Sequence, residues 1–452
     1  MDEGIGVIAE DDRDRFPILG DEGGKMLRFL REHAHAPLYR NRSGHRLGAE
    51  DIRSVKEFMP RAMGDPVEIG RLPDWLSVFL ETSHRTVPFY RRYGALPKGL
   101  TDWPLIGRSD VAADPALFVR DHVPVARLIH YRTSGTTGHP LSVPSHPRVA
   151  ACYLAFHLRA LKRLGMTLRH GAGQVGVVIL GCQKKCFTYV SVTPLQGESG
   201  LAKINLHPDD WRHPDDRVKY LEALNAEVVA GDPLSFVELL RLDPNIFPRV
   251  IFSTAMALEG GMRKQLEERY QCPVLDFYSL NEAGPVAVYD ADLGGHVLLQ
   301  PRLHVEILGE NQQPLSLGQR GEITLTGGFN FCLPLVRYRT GDQASLEWRR
   351  GEPVLIGLQG RPPVRFFGSG GHRINNVDVT HVLQSLGLVQ FTLHQAEDRS
   401  LAFKGVAISG REGEIQAALK GLFGEDQTIH VFPMERFEGK VIQYTSSMKT
   451  MD

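Results

Sequence analysis

Apolar residues recur at helical spacing in several stretches of the first third of the chain. The clearest stretches are "KMLRFLREHA", "LPDWLSVFLETSHRTVPFYRR" and "PRVAACYLAFHLRALKRLGM". Residues three and four positions apart share one face of a helix, so these stretches predict amphipathic helices. The shorter apolar stretch "ARLIHY", ahead of the third of them, predicts a strand instead.

Short apolar strands then alternate with helical patterns between Gln174 and Ser279, which predicts parallel βαβ units. From His296 onward strands follow one another with turn residues between them, which predicts an antiparallel meander or a distorted barrel. After the linker-like "LQGRPP", the order helix, strand, strand, helix, strand predicts a small α+β domain. We therefore expect an α/β protein whose large multi-subdomain N-terminal domain spans 1–359, with a small mobile C-terminal domain over 360–452.

Composition narrows the class of protein. The 452 residues are 42% hydrophobic and 23% charged, with a formal net charge of -1, which argues against binding nucleic acid or a membrane surface. No apolar run approaches the roughly 20 residues of a membrane helix. The N-terminus is acidic from Asp2, unlike a signal peptide, and five cysteines suggest a reducing compartment. We expect a cytoplasmic enzyme.

The segment from Thr133 to Gly138, "TSGTTG", consists of hydroxyl side chains and glycines. Small residues let backbone N–H groups converge on phosphate oxygens, and the hydroxyls add further donors. The segment lacks the lysine of a phosphate-loop NTPase. Alone it predicts little, because such loops often merely connect elements.

Three other segments supply matching chemistry. Tyr278 and Glu282 both lie at the carboxyl end of a predicted strand, four positions apart. There the ring of Tyr278 can pack against a base, and the carboxylate of Glu282 can bind Mg²⁺. Asp342 ends "YRTGD", which predicts a tight turn that offers a carboxylate to ribose hydroxyls. Lys440 follows a glycine in the last predicted loop. Each also has an ordinary alternative: a solvated acid, a turn residue and a surface lysine.

Three motifs suggest chemistry that their context does not support. "GAGQVG" from Gly171 has the dinucleotide spacing, but a helix precedes it and a strand follows, the reverse of the required order. "GDEGGKM" from Gly20 is one residue short of a phosphate loop and has Met26 where Ser or Thr should stand. Cys182 and Cys186 lack two further zinc ligands at suitable spacing, which favours core cysteines that flank a pocket.

In this order the segments resemble the adenylate-forming superfamily of acyl-CoA synthetases and adenylation domains, and most of all its phenylacetate–CoA ligase branch. "TSGTTGHP" looks like the phosphate loop, "YSLNEAGP" like the YGxSE-type segment and "PLVRYRTGD" like the ribose-binding turn. "FEGKVIQY" resembles the C-terminal lysine loop, and "VPFYRR" a segment near the N-terminus of that branch. The resemblance spans Val87 to Tyr444.

The resemblance implies an ATP- and Mg²⁺-dependent ligase that forms an acyl-adenylate from a carboxylic acid and passes the acyl group to a thiol, with coenzyme A as co-substrate. It implies catalytic roles for Lys440, Glu282 and Thr137, with Glu282 as the Mg²⁺ ligand. The implied nucleotide-binding residues are Thr133, Ser134, Gly135, Thr136, Thr137, Gly138, Tyr278, Asn281, Asp342 and Arg361.

The chain departs from this pattern at the hinge, where Pro363 occupies the acid position of Gly-Arg-x-Asp and stiffens the backbone. Two alternatives therefore stand: transfer to a carrier protein or an amine in a biosynthetic (secondary-metabolism) pathway, and a scaffold that retains the fold without turnover. A dehydrogenase, resting on "GAGQVG", is a more distant alternative.

The segments expected to line the acyl pocket are "CFTYVSVTP", "VVAGDP" and "STAMAL". Their aromatic and small apolar residues favour an aromatic acid as the substrate. The identity of the acid and the oligomeric state stay open.

Overall fold

A computed structural model describes residues 10–132, 142–360, 364–375, 378–379, 382–383, 386, 388, 391–406, 408–434 and 444–448. The chain divides into two compact units. The first comprises 1–105, 118–129 and 144–360, and the second comprises 106–117, 130–143 and 361–452. The functional division at residue 360 that the sequence suggests stays a prediction.

Among the described residues, eleven α-helices have defined bounds. They are α1 Glu10–Arg13, α2 Asp21–Glu32, α3 Ala49–Gly64, α4 Trp75–Thr86, α5 Pro88–Arg91, α6 Arg108–Ala113, α7 Pro147–Arg163, α8 Asp216–Leu224, α9 Pro233–Leu242, α10 Gly260–Tyr270 and α11 Glu412–Phe423. The single helix expected over residues 72–92 is interrupted at Val87, because a residue before proline is driven into the extended region. Within the described residues, no helix combines the length and apolarity that crossing a membrane requires.

The strands are short, apart from one of 15 residues. They are β1 Ile106–Gly107, β2 Ile129–Arg132, β3 Ser142–Ser145, β4 Val175–Gly181, β5 Tyr189–Thr193, β6 Ser199–Asn205, β7 Val228–Gly231, β8 Val250–Ser253, β9 Val274–Leu280, β10 Gly284–Asp290, β11 Gly295–Leu298, β12 Leu303–Leu308, β13 Arg320–Gly327, β14 Leu335–Arg349, β15 Glu352–Gln359, β16 Arg365–Phe367, β17 Arg373–Asn375, β18 Phe391–Gln395, β19 Leu401–Val406, β20 Ile429–Met434 and β21 Tyr444–Ser446.

The first unit contains one long sheet in the order β12-β13-β14-β15-β11-β10-β9-β8-β7-β4-β6-β5. The pairs β4–β6, β4–β7, β7–β8 and β8–β9 are parallel, which confirms the predicted βαβ units. Helices α8, α9 and α10 follow β6, β7 and β8 along the chain. The expected mixed α/β fold is confirmed.

Strand β9 joins the two halves of this sheet. It pairs in parallel with β8 on one side and antiparallel with β10 on the other. The strands beyond it, from β10 to β15, all pair antiparallel, which confirms the predicted meander. One hairpin was not predicted: β5 and β6 pair antiparallel at the opposite edge of the sheet.

The smaller sheet of the second unit has the order β20-β19-β18-β21. Buried side chains from these strands and from α11 form their own apolar core, which includes Phe403, Leu419 and Tyr444. The predicted α+β character of the C-terminal segment is confirmed by these elements. Half of the residues of "VTHVLQSL", for which the sequence predicts a helix, lie outside the described residues.

Candidate functional site

The hairpin between β9 and β10 carries the first group of predicted residues. Tyr278 lies within β9, and Asn281 and Glu282 form the turn beyond the carboxyl end of that strand. The return strand begins at Gly284, whose φ is +69°. A Cβ atom there would lie 2.6 Å from Phe329 Cζ, so both the backbone angle and the packing require glycine. The tight turn thus fixes Glu282 where a parallel sheet presents ligand-binding residues.

Asp342 lies within β14, which continues to Arg349. The prediction that a strand ends at "YRTGD" and places Asp342 on a tight turn is therefore wrong. β13 and β14 pair at Glu322–Gln343 and again at Thr324–Arg339. Residues 340–342 of β14 therefore face the single intervening residue of β13, and the strand bulges. Bulges re-aim a side chain while the strand continues, which is how this segment presents Asp342.

The carboxylate of Glu322, on the neighbouring strand, holds this bulge. Its Oε1 accepts the N–H of Gly341 at 3.1 Å, and its Oε2 accepts Nε–H of Arg339 at 2.9 Å. Gly341 has a φ of +85°, which glycine adopts without steric cost. The hydroxyl of Thr340 donates to the carbonyl of Ile323 at 2.9 Å. Three consecutive residues of "RTGD" are thus anchored before Asp342.

The structure brings the two motifs together through a side-chain hydrogen bond. The hydroxyl of Tyr278 donates to Oδ2 of Asp342 at 2.7 Å. Burial first, and then the negative charge of Asp342, raises the pKa of Tyr278 well above its ordinary value, so the phenol stays protonated and remains a donor. The hydroxyl of Tyr278 is thus hydrogen-bonded to Asp342. That the ring packs against a base stays a prediction.

Glu282 is buried, with 3% of its surface exposed. Its Oε1 accepts the hydroxyl of Tyr338 at 2.6 Å, and its backbone carbonyl accepts Nδ2–H of Asn330 at 3.3 Å. Sequence reasoning missed both partners. Tyr338 precedes Asp342 by four residues in the same "VRYRTGD" motif, which was the available signal. Asn281, the neighbour of Glu282, is exposed at the turn.

Tyr90 of "VPFYRR" supports the same strand. It is fully buried, its hydroxyl donates to the carbonyl of Pro334 at 3.0 Å, and it accepts the N–H of Val336 at 3.1 Å. The hydroxyl therefore bridges two backbone groups where β14 begins, four residues before Arg339. A segment singled out only by resemblance thus has a defined part in holding the strand that carries Asp342.

The other predicted site residues lie outside the described residues. They are Thr133, Ser134, Gly135, Thr136, Thr137, Gly138, Arg361 and Lys440, together with the hinge residue Pro363. The strands on either side of the glycine-rich loop, β2 and β3, pair with each other. The roles of the loop, Arg361 and Lys440 stay predictions.

The motifs set aside on sequence grounds have structural explanations. In "GDEGGKM", the amides of Gly20 and Gly23 donate to the carboxylate of Glu198 at 2.7 Å and 3.2 Å, so a protein carboxylate occupies this helix start. "GAGQVG" forms a turn that leads into β4, as expected.

All five cysteines are free thiols. Burial is the main factor that raises the pKa of Cys186. Across the described part of the chain, no cluster of three or more His, Cys, Asp or Glu side chains is arranged to hold a metal ion.

Comparison with known proteins shows which proteins this chain is similar to. No protein-family model matches the chain. The chain is 28% identical over 334 residues to an oxalate–CoA ligase of Saccharomyces cerevisiae, an alignment that covers 67% of this chain and 55% of that protein. The chain thus spans little more than half the length of this curated relative.

Among solved structures, 2-hydroxyisobutyryl-CoA ligase in complex with 2-HIB-AMP and CoA, in the thioesterification state, matches with a TM-score of 0.53 at 16% identity. That match covers 89% of this chain and 91% of the other. An open conformation of the same ligase matches with a TM-score of 0.50 at 16% identity, over 82% and 89% of the two chains. This chain shares its fold with that acyl-CoA ligase. The similarity to the oxalate–CoA ligase agrees with the superfamily resemblance of the ordered motifs. The phenylacetate–CoA ligase branch stays a prediction.

Proposed function

We propose that this chain is an ATP-dependent acid ligase that activates a carboxylic acid as its acyl-adenylate and transfers the acyl group to the thiol of coenzyme A. The observation that carries the proposal is the hydrogen bond that joins Tyr278 to Asp342. It links the "YSLNEAG" hairpin to the "YRTGD" bulge within a fold shared with acyl-CoA ligases. Two motifs 64 residues apart in sequence are thereby brought into contact, and Glu282 lies in the turn that follows the strand of Tyr278.

In the proposed first step, a carboxylate oxygen attacks the α-phosphorus of ATP, and the bond to the β-phosphate oxygen breaks to release pyrophosphate. In the second, a thiol sulfur attacks the acyl carbon, AMP leaves and the thiol proton goes to solvent. Both reactants of the first step are anions, so positive charge must be supplied where they meet. Lys440 is proposed to supply it as a compact cation on a long side chain.

The residues near Glu282 fit the chemistry of a Mg²⁺ ion. Proteins bind Mg²⁺ through one or two carboxylates, with waters and substrate phosphates completing the octahedron. Glu282 supplies one carboxylate, whose orientation Tyr338 fixes through Oε1. Glu282 would hold the ion, which when bound neutralises phosphate charge. The loop of Thr133 to Gly138 would position the β- and γ-phosphates as the leaving group.

The acid is proposed to be aromatic, because the three segments expected to line its pocket offer aromatic and small apolar side chains. Two of them, "VVAGDP" and "STAMAL", begin within the adjacent parallel strands β7 and β8 and continue past the carboxyl ends of these strands. The two relatives are named for oxalate and 2-hydroxyisobutyrate, which are not aromatic. Small aliphatic acids therefore belong beside aryl acids in any test of this part of the proposal.

Coenzyme A is proposed as the acceptor because the matching ligase was solved with CoA and an acyl-adenylate. A carrier-protein thiol or an amine is the alternative acceptor, and an adenylation assay alone does not separate them. The scaffold alternative rests on Pro363 at the hinge. It predicts ATP binding with no release of pyrophosphate on addition of any acid.

Acid-dependent exchange of labelled pyrophosphate into ATP tests the adenylation step without any acceptor. We expect exchange in the native chain. In Glu282→Gln we expect the Mg²⁺ concentration for half-maximal exchange to rise roughly tenfold or more, since changes around bound metals cost about 10–100-fold in affinity. The matched control is Glu310→Gln, which changes an exposed glutamate in a turn and should leave the titration unchanged. An unchanged Mg²⁺ titration in Glu282→Gln would rule out this role for Glu282.

A further inference from the structure

The parallel half of the long sheet is sealed on one face and partly open on the other. Val178, Leu180 and Ile204 point to the face that α8, α9 and α10 cover, and all three are buried. Ile179 and Lys203 alternate with them along β4 and β6 and are only half-buried. Successive side chains of a strand point to opposite faces, so a cleft opens on the second face of the sheet.

The floor of this cleft is a row of side chains in register across four strands. Phe252 pairs with Ala230, Ala230 with Ile179, and Ile179 with Lys203. Ala230 belongs to "VVAGDP", and Phe252 immediately precedes "STAMAL". Both segments are expected to line the acyl pocket. The partly open face is therefore the one from which two of the acyl segments begin.

Helix α7 packs on the same face and directs His157 at the end of this row. The ring centroid of His157 lies 5.3 Å from that of Phe252 and 5.1 Å from that of Phe277. One turn earlier in the helix, Tyr153 lies beside Gly284, where a Cβ atom would be 3.1 Å from its ring. A helical turn advances about 5.4 Å, so the imidazole lies about that far along α7 from the hairpin between β9 and β10.

Both ring nitrogens of His157 face open space. The ring is surrounded by protein but half-buried, and within the described part of the chain neither nitrogen is sealed from solvent or has a hydrogen-bond partner. Burial lowers the pKa of His157 to about 4, so at neutral pH the ring is neutral and offers one donor and one acceptor. At the far end of the row, the charge of Lys203 is offset by Asp232, on whose carboxylate it acts.

We propose that His157 selects an acid that carries a hydroxyl group on its acyl part, so that the substrate is a hydroxy acid. The inference rests on the proposed function and specifies the class of its acid. A hydroxyl can donate to one ring nitrogen or accept from the other, and it brings no charge to desolvate in a slot lined by Phe252 and Phe277. The apolar remainder of the acid packs on Ala230 and Ile179.

A site that hydrogen-bonds a substrate hydroxyl discriminates against the analogue that lacks it, because the polar group of the protein is then left unpaired. His157 has no second partner among the described residues to which it could turn. The expected signature is therefore a preference between acids that differ in one hydroxyl group, and the preference should depend on the imidazole.

Pyrophosphate exchange with matched acids tests the proposal. The probes are benzoate with its three monohydroxy derivatives, and pivalate with 2-hydroxyisobutyrate, in which a hydroxyl replaces a methyl group. In the native chain we expect a hydroxylated acid to give a kcat/KM about tenfold or more above that of its partner. In His157→Phe this ratio should fall to about one, and His157→Gln, which keeps a donor and an acceptor, should retain part of it. His122→Phe, at an exposed position, should leave the ratio unchanged.

Ligand-detected NMR with the same acids, in the absence of ATP, measures binding independently of turnover. We expect the hydroxylated acid to bind more tightly, and His157→Phe to remove the difference. Ratios near one for every pair in the native chain would overturn the proposal, as would a ratio that His157→Phe leaves unchanged. If His157→Phe does not fold, the native chain and His157→Gln decide.

Failure of the proposed function is distinguishable from failure of this inference. Exchange that ignores the hydroxyl group would keep the ligase activity and reject the role of His157. If no acid supports exchange, the ligase activity fails and the NMR comparison decides alone: equal binding of the paired acids, or no binding of any of them at millimolar concentration, rejects the role of His157.

Discussion

The hydrogen bond from Tyr338 to Glu282 is the contact whose removal best tests the geometry of the site. Tyr338→Phe deletes one hydroxyl and leaves the ring in place. Tyr338 is 2% exposed and Glu282 is 3% exposed, and the bond is 2.6 Å long. A hydrogen bond to a charged group contributes about 1.5–3 kcal/mol, and water has little access to replace it at this buried position. We expect the free energy of unfolding to fall by about that amount.

Urea unfolding followed by tryptophan fluorescence measures this loss, because all four tryptophans lie in the first unit, which also contains Tyr338 and Glu282. With an m value of a few kcal/mol per molar urea, the midpoint should fall by roughly 0.5–1 M. The matched control is Tyr270→Phe. The Tyr270 hydroxyl is buried and has no hydrogen-bond partner among the described residues, so its removal should cost less than about 0.5 kcal/mol.

The same variant has a second expected effect on the proposed activity. Because Tyr338 orients the carboxylate through Oε1, we expect Tyr338→Phe to raise the Mg²⁺ requirement of pyrophosphate exchange, as partners of metal ligands generally do. Equal unfolding midpoints for Tyr338→Phe and Tyr270→Phe would refute the reasoning about stability. A lowered midpoint with an unchanged Mg²⁺ titration would keep the contact and reject its functional role.

Three further predictions concern other parts of the chain. Asp342→Asn should raise the KM for ATP about tenfold or more with a smaller change in kcat, while Glu310→Gln changes neither; equal KM values would remove Asp342 from the nucleotide site. Lys440→Ala should abolish pyrophosphate exchange and leave ATP affinity within about twofold by calorimetry, and retained exchange would contradict its role. Burial lowers the pKa of His304 to about 4, so its contribution to stability is present at neutral pH and is lost as pH falls from about 6.5 toward 4. Between pH 7 and pH 5 the unfolding free energy of His304→Gln should therefore fall by about 2 kcal/mol less than that of the native chain, and equal losses would refute this.

The order of elements was predictable because apolar spacing alone separates strands from helices. Strands β7 and β8 are short apolar runs between helical patterns, and parallel strands buried on both faces need such runs. The hairpin β5–β6 was missed because its strands lack a strong alternation and a two-residue turn signal. The break at Val87 could have been predicted from Pro88, since proline disfavours the helical conformation in the residue before it.

The candidate site was predictable only as a set of motifs. Tyr278, Glu282 and Asp342 were identified from their sequence context, but which side chains they contact depends on strand register. The bulge that re-aims Asp342 requires three residues of β14 to face one of β13, and local sequence does not specify that pairing. Tyr338 could have been singled out as a member of the "VRYRTGD" motif, but its contact with Glu282 depends on how the strands pair. The contact of Glu322 with the bulge depends on the same pairing.

The central claim is tested most directly by pyrophosphate release from ATP across a panel of aryl and small aliphatic carboxylic acids, each with and without coenzyme A. We expect release with a subset of the acids in the absence of coenzyme A, and an acyl-CoA product when it is added. Release without any thioester would move the acceptor to a carrier protein or an amine. ATP binding with no release for any acid in the panel would contradict the proposed ligase activity.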